Sequence, residues 1–247
     1  MHAWLLAFAV FLSGCGEVWN NPYPAQETGR NILYSAFTER PKHLDPVQSY
    51  SEDEAEFNAQ IYEPPLQYHY LKRPYTLIPL TAEALPRPRS VDAAGREVPA
   101  DSPRLAHTLY EIRIRPGILY QPHPAFARDP DGKLLYHNLK PDDLKGIYSL
   151  RDFPQTGTRE LTAEDYAYQI KRLAHPRLHS PVFGLMSEYI VGLKAFAETL
   201  KTEDKALAAS GTGNAWLDLS KFQLAGVELV DKYRYRIRIK GRYPQFA

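Results

Sequence analysis

Residues 107–117 read HTLYEIRIRPG, and the alternation in this stretch decides how the chain folds. Tyr110, Ile112 and Ile114 project to one side and Glu111, Arg113 and Arg115 to the other, the period of a half-buried strand, closed by the Pro116-Gly117 turn. Residues 228–241, ELVDKYRYRIRIKG, repeat the pattern, with Tyr233, Tyr235, Ile237 and Ile239 opposite Arg234, Arg236, Arg238 and Lys240. Between these strands the period changes to that of a helix. Thr162 is a predicted N-cap with Asp165 at the capping-box position, and Tyr166, Ile170 and Leu173 form the stripe of a helix that stops at Pro176. A further helix is expected from Ser187 to about Lys201, carrying Ile190, Leu193, Phe196, Ala197 and Leu200 at helical spacing. Upstream, Ser51 and Glu54 make a second capping box for SEDEAEFNAQIY, which ends before Pro64 and Pro65. Residues 31–37, NILYSAF, read as a strand followed by the extended connection TERPKHLDP. Helices and strands in mixed order predict an α/β architecture. Residues 119–160, rich in Pro, Asp and Tyr and weak in periodicity, read as a functional excursion or an insertion.

The 247 residues are 44% hydrophobic and 24% charged, which is globular composition. Lys and Arg number 30 against 29 Asp and Glu, so no net field attracts nucleic acid, and the Arg234 to Lys240 stripe reads as the solvated face of a strand. Seventeen tyrosines suit either a ligand-gripping surface or the faces of a sheet. His175 and His179 stand four apart, but Pro176 breaks the helix between them, so no metal site is expected. Gly211, Thr212 and Gly213 read as a surface turn, and neither a phosphate loop nor a Gly-x-Ser-x-Gly elbow is present. With no nucleophile in view the chain is expected to bind rather than catalyse, and no cofactor is implied.

Its single cysteine, Cys15, excludes an internal disulfide. The apolar run Ala3 to Leu12 is about half the length of a membrane-spanning helix and reads as the core of a signal peptide. Leu12, Ser13, Gly14 and Cys15 resemble the bacterial lipobox. That resemblance implies a signal peptide over residues 1–14, a mature start at Cys15 with lipid on its thiol, and a lipid-attached spacer over 15–30. The protein would sit in the periplasm or on the outer surface of the cell membrane, tethered through Cys15.

Six stretches in order also resemble the bacterial extracellular solute-binding proteins of family 5, the peptide-binding type that serves ABC importers. They are KHLDP, IYEPPL, LIPLTAEALP, LYEIRIRPGILY, LTAEDYAYQIKRL and the close GVELVDKYRYRIRIKGRYPQF. The resemblance implies a periplasmic-binding-protein-like (type II) bilobal fold, incomplete in this chain, with the ligand in the cleft between lobes. Residues 31–53 would open ligand-binding domain I, 54–230 would be domain II, and 231–247 would return to domain I. Ligand contact is implied at Thr38, Glu39 and Arg40 in the loop after the first strand, and at Phe183 and Met186 in SPVFGLM. The implied partners are a peptide or peptide-like solute and an ABC permease with its ATPase. A second reading keeps the same fold in an envelope lipoprotein that acts as a sensor or interaction module and imports nothing.

Overall fold

The computed structural model describes residues 23–27, 29–137, 139–211 and 216–246. Residues 1–14, Cys15 and most of the expected spacer lie outside the described residues, as do Thr212 and Gly213. The chain divides into two compact units at Glu39 and Arg40.

In the first unit a short 3-10 turn, Ala25–Glu27, precedes an irregular segment. The Tyr34 hydroxyl donates to the Glu27 carboxylate, and the rings of Tyr23 and Tyr34 stack at 3.6 Å. Residues 31–37 are not the expected strand: they have no regular structure and all are exposed. Apolar composition makes a strand only where a neighbour takes up its N–H and C=O groups. Among the described residues no strand pairs with this segment.

The second unit is built on antiparallel strands. Strands β1 (Leu66–Tyr68) and β2 (Leu77–Pro79) form a hairpin in register Leu66 to Pro79. Strands β3 (Arg89–Val91), β4 (His107–Arg113), β5 (Val227–Leu229) and β6 (Arg234–Lys240) make a sheet in the order β3-β4-β6-β5. The two alternating stretches are its centre and pair over their full length, from His107 opposite Lys240 to Arg113 opposite Arg234. That register sets Tyr110 against Ile237 and Ile112 against Tyr235 on the buried face. On the other face Arg236 bridges Glu111 at 2.7 Å and Glu228 at 2.8 Å, so the basic stripe is partly neutralised across three strands. Mixed helix and sheet content therefore agrees with the sequence reading, with both sheets antiparallel. The expected boundary at 230/231 falls in the β5–β6 turn, and β4 and β6 share one ladder across it.

Four α-helices accompany the sheets among the described residues. Helix α1 (Glu52–Ile61) begins with the expected capping box: Ser51 Oγ accepts from the Glu54 N–H at 3.3 Å, and the Glu54 carboxylate accepts from the Ser51 N–H at 3.2 Å. The same carboxylate accepts from the N–H groups of Lys42, His43 and Tyr50, and so closes the 42–51 loop around one buried side chain. These donors hold its pKa down at about 2, against an ordinary value of 4.5. A lowered carboxylate pKa stabilises above the unfolded value and is lost as pH falls through the folded one. Melting temperature is thus expected to fall between about pH 4.5 and 2, with Glu54→Gln flattening part of that slope and lowering stability at pH 7. Identical slopes in thermal melts of the two proteins would refute this role for Glu54.

Helix α2 (Ala163–Arg172) opens with the Thr162 N–H donating to Asp165 at 2.8 Å, and its Ala163 and Ala167 are buried. The expected helix from Ser187 to Lys201 is instead two: α3 (Phe183–Tyr189) and α4 (Leu193–Ala209). At the break Gly192 takes φ +78°, a region that glycine enters without cost. Ile190 pairs with Ile239 and the Val191 N–H donates to Arg238 O at 3.0 Å. The linker thereby extends the ladder of β6 beyond the start of β5, and those bonds take the place of helical ones over residues 190–192, just under one turn. Ile114, Ile190, Leu193, Leu200, Leu219 and Ile239 are fully buried and form the centre of the core.

The described part of residues 119–160 is an excursion closed at its base by the bridges Leu119 to Glu160 and His123 to Gly157. Glu160 pins it there, accepting from the Gly117 N–H, Lys232 Nζ and the Tyr233 hydroxyl. Among the described residues no helix is long and apolar enough to cross a membrane.

Candidate functional site

The alternation of β4 and β6 points Tyr110, Ile112, Tyr235 and Ile237 to one face of the sheet. Helix α2 crosses that face with Tyr166, Ile170 and Leu173, whose sequence pattern reads as a core stripe but which are only half-buried. The reason is a cleft of about 330 Å³, open to solvent, between the sheet, α2 and α3. Met186 of α3 and Phe246 complete its walls, and Pro65, Leu66 and Pro86 rim it.

The polar groups in the cleft are few and mostly spoken for. The Tyr166 hydroxyl donates to Glu63 O at 2.8 Å and lies 2.6 Å from Thr81 Oγ1. The Tyr110 hydroxyl donates to Tyr243 O at 3.4 Å. Burial pushes the phenols of Tyr110, Tyr166 and Tyr235 up, so each stays protonated across the physiological range. The rings of Tyr166 and Tyr235 lie parallel with centroids 5.9 Å apart. Gln169 has its side-chain oxygen engaged by Arg172 at 3.0 Å. Apart from these phenols and this amide the lining is apolar, so the cleft offers contact area and ring faces to an apolar group.

The expected ligand residues are distributed as follows. Met186 lines the cleft. Phe183, three residues earlier on α3, turns to a separate cavity of about 280 Å³ beside His175, His179 and Ser180. Thr38 and Glu39 belong to the first unit and Arg40 begins the second, and each of the three is exposed. Sequence reasoning missed Tyr110, Tyr166, Ile170 and Tyr235 as cleft residues. Only the tyrosines on otherwise aliphatic faces signalled it, since a phenol favours a position with water within reach.

The motif KHLDP is tied to α2. Arg172 holds Asp45 with both terminal nitrogens, one at 3.0 Å, while the Asp45 carboxylate also accepts from the Val47 N–H at 3.1 Å. The guanidinium and that N–H keep the Asp45 carboxyl below its ordinary range, although burial works the other way.

No protein-family model matches the chain, and no curated protein matches it either.

Proposed function

We propose that this chain supplies one lobe of a lipid-anchored, two-lobed binding protein of the family 5 type. The protein would capture peptides or peptide-like solutes and hand them to an ABC permease with its ATPase. The observation that carries the reading is the cleft: Met186, from the SPVFGLM segment singled out by the resemblance, lines an open apolar surface of about 330 Å³. That volume is at the small end for ligand sites and suits one or two apolar side chains of a peptide. Further support comes from the ion pair between Asp45 and Arg172, which joins two of the six resembling stretches, KHLDP and LTAEDYAYQIKRL. Closure of a second lobe over the cleft would bury the other side of the ligand. Only contacts made to both lobes favour the closed state.

Titration calorimetry with pooled di- to pentapeptides tests the reading. A form carrying both lobes is expected to bind some member, and residues 1–247 alone to bind roughly three orders of magnitude more weakly, because half the enclosure forfeits several kcal/mol. Met186→Asp places a charge in the apolar lining and is expected to weaken binding by the two-lobed form at least about tenfold. Equally tight binding by residues 1–247 alone, or none by a two-lobed form, would overturn the proposal. The tether has its own test: labelling with radioactive palmitate in a bacterial host is expected for the wild type and lost in Cys15→Ser.

A further inference from the structure

We infer that the tip of the β1–β2 hairpin is a contact site for an anionic lipid surface. The tip is the turn that joins the two strands, and apart from half-buried His69 its residues from Gln67 to Thr76 are exposed. Tyr70 is 88% exposed, Leu71 77%, Tyr75 70% and Tyr68 63%, so four large side chains with apolar bodies stand exposed together at one turn. The loop is held in shape by its own contacts. His69 Nδ1 accepts from the N–H groups of Leu71 and Lys72, Arg73 donates to the carbonyls of Tyr70 and Lys72, and the Arg73 guanidinium lies 4.4 Å from the centre of the Tyr75 ring.

Charge at this place has one sign. From Gln67 to Ala82 there is no Asp or Glu, while Lys72 and Arg73 stand exposed at the tip. Among the described residues neither cation has a carboxylate partner, in contrast to Arg172, Arg234 and Arg236 elsewhere in the unit. Tyrosines with an apolar ring and a polar hydroxyl belong at the boundary between headgroups and acyl chains, a leucine reaches below it, and lysine and arginine attract the anionic headgroups. An exposed turn that sets cations beside apolar rings meets both halves of such a boundary, the headgroup charge and the acyl edge. The inference does not rest on the peptide-binding reading or on the lipid at Cys15, and each can fail without the others.

The test uses the full chain with Cys15→Ser, leaving no other cysteine, and an environment-sensitive fluorophore attached at Leu71→Cys. With phosphatidylcholine–phosphatidylglycerol vesicles its emission is expected to shift to the blue and brighten, and to do so less in high salt, which screens the headgroup attraction. The same label at Tyr148→Cys, exposed on the 119–160 excursion, is expected to stay unchanged, which separates tip insertion from association through the apolar residues 3–12. Lys72→Gln with Arg73→Gln is expected to weaken the partitioning of the Leu71 probe about thirtyfold, five- to sixfold for each cation. Because both side chains are exposed, melting temperature serves as the folding control. No shift at Leu71 with anionic vesicles, an equal shift at Tyr148, or an unchanged response after removal of the two cations would overturn the inference.

Discussion

Replacing Ile239 by alanine is expected to destabilise the second unit by about 4 kcal/mol, lowering its melting temperature by roughly 8–16 °C. Ile239 is fully buried on β6, stands opposite Thr108 of β4 and bridges to Ile190 of the linker between α3 and α4. Truncation removes three carbons from a place where strand, neighbouring strand and linker meet. None of these can move inward without breaking the ladder, so the void stays and its cost adds to the lost transfer energy. Against a total stability of about 5–15 kcal/mol, that is a large fraction. Arg238→Ala, one residue away on the exposed face, is expected to change stability by less than about 0.5 kcal/mol. Denaturant titrations of the two variants check the pair. Equal effects would mean that β6 does not present alternate residues to core and solvent.

Gly226→Ala is expected to cost about 3 kcal/mol, the upper end for overpacking. A methyl group at Gly226 would lie 2.4 Å from the Val191 carbonyl oxygen and 2.9 Å from its nitrogen, and both are backbone atoms that no rotamer change can remove. The backbone there is pinned, since Val191 donates to Arg238 O at 3.0 Å and the Arg238 N–H donates to Gly226 O at 2.8 Å. Relief therefore requires separating the α3–α4 linker from β6. Gly95→Ala isolates the other reason for a glycine: it has φ +80° with nothing within 4 Å of the added carbon, and is expected to cost about 1 kcal/mol from backbone strain alone. Thermal melts that ranked Gly95→Ala as the more damaging would show that the close approach at Gly226 is not as described.

Both predictions turn on contacts between segments far apart in the chain, and that is where the sequence stopped being legible. The helix starts at Ser51 and Thr162 were readable because each capping interaction spans three residues. Strand faces at 107–117 and 228–241 were readable because alternation is a property of the stretch itself, and so was the irregularity of 119–160. That Glu111 meets Arg236, 125 positions away, was not, since either stretch would alternate equally well against another neighbour. Residues 31–37 carry strand composition and form none, because a strand is completed by its partner. Gly192 interrupts a good helical pattern because Ile190 and Val191 find better-placed partners in β6, which no local window contains. The cleft follows the same rule. Alternation and helical spacing placed Tyr110, Ile112, Tyr166 and Ile170 on inward faces, which was correct, but whether an inward face becomes core or a ligand wall depends on what lies above it. Local bonds and periodicity were thus determined by the amino-acid sequence alone. Pairing, the helix break and the open face were decided only in the tertiary structure, because each depends on which distant backbone or side chain competes for the same hydrogen bonds and the same volume.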